Sequence, residues 1–203
     1  MKKNPSAMPK GEETAEKILD AAMKAIAAKG CGSVTLREIA KEAGVVLSQL
    51  NYYYGNKDGL FAAVLKRMQE NYITDFEGRL QQDGSLQDHT RELIAFNRSL
   101  LLEEPEIYRN FLEFSNFAMS SPGFLPFVER FVADISDMIE ERLYGSSAKD
   151  QSDHSAAVMT RFILSASFGI SLQHFLAPDD KSILSGFEML EAAIPNLNVS
   201  NSK

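Results

Sequence analysis

Apolar residues along this chain recur mainly at three- and four-residue intervals. Ile18, Leu19, Ala22, Met23 and Ile26 share one face of a predicted helix, with Lys17, Asp20 and Lys24 opposite and Gly30 and Gly32 as its stop. Thr35 and Glu38 form a capping box: the hydroxyl accepts the amide three residues on, and the carboxylate reaches back. This pair opens a short helix with Leu36, Ile39 and Ala40 inward, and Gly44 suits the left-handed turn that closes it. A second short helix is predicted from Leu47 to Tyr54, ending at Gly55, and a longer one from Asp58 to Gln82 on Leu60, Phe61, Val64, Leu65, Met68, Tyr72 and Phe76. Further helices are predicted over Leu86–Glu103, Pro105–Met119, Leu125–Leu143, His154–Leu176 and Asp180–Ala193. Glu104-Pro105, Ser121-Pro122-Gly123, Gly145-Ser146-Ser147 and Pro178 punctuate them. No stretch alternates with a period of two for long enough to predict a strand, so the fold class is all-α.

The two short helices, joined through Ala43-Gly44-Val45, have the lengths and the glycine of a helix-turn-helix. Successive helical residues turn by about 100°. Leu50 and Tyr54 therefore share the inward face with Val45, whereas Ser48, Gln49, Asn51, Tyr52 and Tyr53 project outward. Amides that pair with adenine edges, hydroxyls that reach phosphates and ring faces for thymine methyls are what a major groove requires. Lys57, at the start of the next helix, adds a charge where backbone amides already favour a phosphate. The net charge of −7 argues against nucleic acid until its distribution is considered. Residues 1–67 hold 11 Lys and Arg against 7 Asp and Glu, while the remainder holds 10 against 21. A basic head on an acidic body is expected where only one part meets phosphates.

Thr35-Leu-Arg-Glu-Ile-Ala-Lys-Glu-Ala-Gly-Val45, then Leu50-Asn-Tyr-Tyr-Tyr54 and Asn56-Lys57-Asp-Gly-Leu60-Phe61, resembles the DNA-binding signature of TetR-type transcriptional regulators. The resemblance implies an N-terminal three-helix helix-turn-helix domain joined by a long helix to a C-terminal helical ligand-binding and dimerisation domain. The expected boundaries are a flexible arm over residues 1–10, the DNA-binding domain over 11–57, and the effector-binding and dimerisation domain over 58–203. It implies that Leu47, Ser48, Gln49, Asn51, Tyr52 and Tyr53 lie on a double-stranded operator while Lys57 grips its backbone. Two departures stand out: Val46 occupies a place where the family commonly has a small hydroxyl residue, and Asn51 one where it usually has tyrosine. The recognition helix holds no Lys or Arg, so Lys57, Arg37, Lys41 and the Lys2, Lys3 and Lys10 arm must supply charge.

One short recognition helix makes few base contacts, which favours a two-fold homodimer across neighbouring half-sites. Small residues of the His154–Leu176 helix, including Ala166 and Gly169, permit close helix approach beside Phe162, and the last helix adds Phe187 and Leu190. In the resembled family these two helices form the dimer bundle; an internal core is the alternative. Eleven of the thirteen phenylalanines fall between Phe96 and Phe187. They are either plain core or the wall of an effector pocket, for which Phe96, Asn97, Phe111, Phe114, Asn116, Phe131, Arg161 and His174 are the candidates, with a mostly apolar effector. Arg109 and Glu113 read as a surface pair. A DNA-binding protein of this fold whose acidic C-terminal domain meets another protein, with no effector, is the rival reading.

Other functions find little support. Cys31 is the only cysteine, and His89, His154 and His174 are too dispersed for a local metal motif, so no metal or cofactor is expected. Ser152-Asp153-His154 cannot form a catalytic triad from adjacent residues, and Asp153 reads as a helix cap. No phosphate-binding glycine loop occurs, and an enzyme is not expected. The polar start after Met1 and the serines within Phe162–Ala177 argue against export and a membrane span, leaving a cytoplasmic protein as the expectation.

Overall fold

A computed structural model describes residues 10–80, 84–145 and 155–197. Within them the regular elements are helical: α1 (Lys10–Lys29), α2 (Leu36–Glu42), α3 (Leu47–Tyr54), α4 (Lys57–Arg79), α5 (Leu86–Glu103), α6 (Pro105–Ser120), α7 (Leu125–Tyr144), α8 (Ser155–Leu176) and α9 (Ser185–Leu197). Lys2, Lys3, the Lys10 side chain and Ser152–His154 lie outside the described residues.

Two helix starts differ from those expected, each for a local reason. α4 opens at Lys57 because the Asn56 side chain caps it, its Oδ1 accepting the Gly59 amide at 2.9 Å. Gly59 is obligatory there, since a Cβ would sit 2.2 Å from the carbonyl oxygen of Tyr54. Asp180 accepts the Ser182 amide at 2.9 Å, two residues on rather than three. That tighter turn makes Lys181–Leu184 a 3-10 segment, and α9 begins only at Ser185.

The chain packs as two compact units. The first contains residues up to Met68 together with Arg109–Val128. In it α1 packs on α2 and α3 through Ile18, Ala22, Ile26, Ile39 and Leu50, all essentially without solvent contact. Arg67 on α4 ties back to α1 by pairing with Glu16 and, at 3.3 Å, with Asp20. Phe61 of α4 is met edge-on by Phe114, Phe117 and Phe124 at centroid separations of 5.5, 5.7 and 6.1 Å. Such edge-to-face pairs add to the burial of the rings themselves. Phe111–Phe117, placed by the sequence in the domain beginning at residue 58, thus pack with the head.

The second unit holds Gln69–Tyr108 and the residues from Glu129 onward. Here α5 packs on α8 and α9. Phe96 lies against Tyr72 and Phe76, with the Arg79 guanidinium 5.0 Å from its centroid, and Arg142 pairs with Glu77. Asn97 is a buried cross-link: its amide donates to the Leu93 carbonyl at 2.8 Å and the Tyr72 hydroxyl at 3.1 Å, while the Tyr108 hydroxyl donates to its Oδ1 at 2.8 Å. Burial pushes the Tyr72 and Tyr108 phenols far up, so both remain neutral donors.

Candidate nucleic-acid interface

The α2–α3 pair owes its geometry to its caps. The Thr35 amide donates to Glu38 at 3.0 Å, the Glu38 amide to the Thr35 hydroxyl at 3.3 Å, and Lys29 to the Glu38 carboxylate at 2.9 Å. These bonds, that from Lys29 foremost, hold the Glu38 carboxyl down at about 2. Gly44 then takes φ +70°, closed to most side chains, and the Val45 amide returns to the Ala40 carbonyl at 2.9 Å. Val46 precedes α3 without a hydroxyl to accept the Gln49 amide, and only the reverse half of a capping box is made: Gln49 Oε1 accepts the Val46 amide at 3.2 Å. This alters the reading of Gln49. A paired contact to adenine needs amide oxygen and nitrogen together, and here the oxygen serves the helix, leaving the nitrogen for an external acceptor.

The faces of α3 separate as its periodicity requires. Leu50 is fully buried, whereas Ser48, Asn51 and Tyr52 are exposed, Tyr52 by 84%. Tyr54 turns inward and donates its hydroxyl to the Ala15 carbonyl of α1 at 2.9 Å; burial pushes its phenol up to about 12. Tyr53 departs from expectation, being half-buried rather than fully outward. Its hydroxyl would be 3.5 Å from a Cβ on Gly11, and its ring meets that of Tyr52 edge-on at 5.3 Å. Only Tyr52 of the three is a fully presented ring, with Tyr53 supporting it. Leu47 is half-buried at the start of α3.

Arg37 and Lys41 are exposed on α2. Lys57 is half-buried with its ammonium 5.4 Å from the Phe61 centroid, so its stem lies along the aromatic cluster. A side chain invisible as functional in the sequence completes the head. Glu113 of α6, instead of forming only a surface pair with Arg109, accepts the Cys31 amide at 3.2 Å. A Cβ on Gly30, at φ +80°, would stand 2.6 Å from Glu113 Oε2. The turn between α1 and α2 is therefore held from 82 residues away. Burial, then the Glu113 charge, pushes the Cys31 thiol up to about 12, which leaves it a poor nucleophile. No cluster of three potential metal-binding side chains occurs among the described residues.

The effector candidates are divided between the two units. Phe111, Phe114 and Asn116 belong to the first unit, the last exposed, and Phe114 is buried among Phe61 and Phe124. In the second unit Phe96 and Asn97 are engaged by core neighbours, Phe131 is buried and Arg161 is exposed. His174 Nδ1 is buried without a hydrogen-bond partner among the described residues. The proposed dimer residues also divide. Phe162 is 48% exposed, and Ala166 and Gly169 are partly accessible, but Phe187 and Leu190 are already inside the protomer's own core. Val158, Leu172, Leu176 and Met189 present apolar surface instead. Among the described residues no helix is long and apolar enough to cross a membrane.

Residues 18–64 match the family model for bacterial regulatory proteins of the tetR family. The chain is 24% identical over 190 residues to an uncharacterized HTH-type transcriptional regulator in the dhlA 5' region of Xanthobacter autotrophicus, covering 92% of each. It is 29% identical over 104 residues to the HTH-type transcriptional regulator BetI of Brucella canis, spanning 51% of this chain and 52% of that one. Its fold superposes on a transcriptional regulator of Pseudomonas aeruginosa PAO1 with a TM-score of 0.77, at 17% identity over 95% of this chain and 94% of the other. The regulator FadR of Bacillus subtilis, crystallised with stearoyl-CoA, superposes with a TM-score of 0.74 at 16% identity, over 93% and 99%.

Proposed function

We propose that this chain, whose residues 18–64 match the tetR-family model, is a DNA-binding transcriptional regulator of that family, one that binds an operator in the cytoplasm as a homodimer and represses transcription until a small-molecule effector releases it. The observation carrying the DNA-reading part is the outward strip of α3, where Ser48, Asn51 and the 84%-exposed Tyr52 stand together above a buried Leu50. Two such strips, related by a two-fold axis, match two half-sites. Lys57, Arg37 and Lys41 would supply the phosphate contacts that α3 lacks.

The apolar surface of α8 and α9 at Val158, Phe162, Leu172, Leu176 and Met189 supports the homodimer, because contiguous exposed apolar side chains are covered in stable proteins. The effector part draws support from FadR, a protein of similar fold found with stearoyl-CoA. A second reading, in which another protein contacts the C-terminal domain, is favoured by its excess of 21 acidic over 10 basic residues beyond Met68. Selection from random duplexes, followed by binding assays on the selected sequence, tests the main reading. Asn51→Ala with Tyr52→Ala should abolish sequence-specific binding and leave melting unchanged. Undiminished binding by that variant removes α3 from the operator.

A further inference from the structure

α8 is inverted with respect to an ordinary amphipathic helix. It presents Val158, Phe162 and Leu176 to solvent, while Thr160, Ser167 and Ser171 are at most 1% exposed. With His174 these polar residues fall within about 60° on the helix, forming one inward strip. Ser171 is satisfied: its hydroxyl donates to the Ser167 carbonyl at 2.8 Å. Further along the strip the satisfaction ceases. The side-chain oxygens of Thr160 and Ser167, together with that of Ser136 on α7, are buried without a hydrogen-bond partner among the described residues. α7 and α8 belong to the same compact unit. Burying a hydroxyl unpaired is unfavourable, and an alanine or valine in its place would not incur that penalty. Three such hydroxyls in one unit mark a place built for a guest that supplies the missing partners.

The chemistry of the guest follows from what else is buried. No Asp, Glu, Lys or Arg among the described residues is buried to the same degree as these hydroxyls. A carboxylate, phosphate or ammonium entering the strip would lose its hydration with no buried Asp, Glu, Lys or Arg to meet it, and only His174 on the strip able to carry a charge. Ile163 and Ile139, both without solvent contact, belong to α8 and α7 and suit an apolar skeleton. Thr160 and Ser167 are seven residues apart, which places them about 10 Å apart along α8.

We infer that the inward strip of α8 is the effector site and that it selects an uncharged organic molecule, apolar along its length and bearing hydroxyl or carbonyl groups spaced to meet Thr160, Ser167 and Ser136. This rests on the effector reading above and gives that effector a chemical class. 1,8-Octanediol is a suitable neutral test compound, compared with octanoate and octylamine by thermal shift and titration calorimetry on the full chain. The diol should stabilise the protein saturably and the two ions should not. Thr160→Val with Ser167→Ala should weaken diol binding at least tenfold, with operator affinity retained and the melting temperature of the unliganded protein unchanged or raised. Equal stabilisation by octanoate or octylamine overturns the inference, as does undiminished diol binding by the double variant. Operator binding by untreated protein is measured alongside: if it is present and none of the three compounds shifts the melt, the neutral-guest inference falls while the DNA-binding reading stands. Operator binding that is itself absent counts against that reading instead.

Discussion

Tyr54 is the side chain on which the orientation of the recognition helix depends, and two substitutions separate its contributions. Tyr54→Phe keeps the ring and removes the hydroxyl that donates to the Ala15 carbonyl at 2.9 Å. One neutral intramolecular hydrogen bond contributes about 1 kcal/mol net. Tyr54→Ala also removes the ring. Complete burial of an aromatic ring would place that loss at about 3–5 kcal/mol, but Tyr54 is half-buried, so a loss of about 2–3 kcal/mol is expected. In a chain of this length each kcal/mol corresponds to about 2–4 °C in melting temperature, giving a modest fall for Phe and one roughly twice to three times larger for Ala. Thermal melting and guanidinium unfolding would measure both, with operator titrations alongside. Tyr54→Phe should bind the operator as the wild type does, because the hydroxyl it loses faces α1. Since burial raises the phenol to about 12, the tyrosine's contribution is fully present below its ordinary value near 10 and is lost as pH rises through about 12. A Tyr54→Phe variant that melts normally and has lost operator affinity would refute this orientation, because it would place the hydroxyl on the DNA.

Other outcomes follow from the same head. Gly59→Ala should destabilise the start of α4 by about 1–3 kcal/mol, as the added methyl meets the Tyr54 carbonyl 2.2 Å away; unchanged hydrogen exchange at residues 54–60 would contradict it. Glu38, held down at about 2 by Lys29 and Thr35, contributes stability that is full above the ordinary carboxylate value and disappears as pH falls through about 2. Comparing acid titrations of wild type and Glu38→Gln by circular dichroism checks this, since only the wild type should show that loss. Lys57→Ala should weaken all duplex sequences alike and reduce the salt slope by about one ion; a change confined to sequence preference would exclude the phosphate role.

The sequence reveals most where contacts are local. Heptad-like spacing in α1, the Thr35–Glu38 box and the 100° steps along α3 place Leu50 inward and Tyr52 outward, because each depends on residues three or four apart. It reveals less where a distant segment intervenes. Tyr53 reads as outward on the helix alone, and the start of α1 at Gly11 lies beside its hydroxyl. Glu113 reads as half of a surface pair, yet it reaches the Cys31 amide. On α8 periodicity gathers Thr160, Ser167 and Ser171 on one side but does not say that this side faces inward. Only packing distinguishes an outward Phe162 from an inward Ser167. The missing hydroxyl at Val46 is legible, but the bond from the Val46 amide to the Gln49 side chain emerges only from geometry.

The clasp of Glu113 on the Cys31 amide, with Phe114, Phe117 and Phe124 around Phe61, bears on how the protein is made. A nascent chain that has emerged only as far as Tyr72 already contains α1, α2 and α3, but it lacks the glutamate and the rings that finish their core. The reading head must therefore remain incomplete during translation until about fifty more residues have cleared the ribosome. A truncated peptide ending after α4 would present Phe61 bare to solvent. Shortened versions prepared for operator studies should therefore aggregate or melt early unless they extend through Val128.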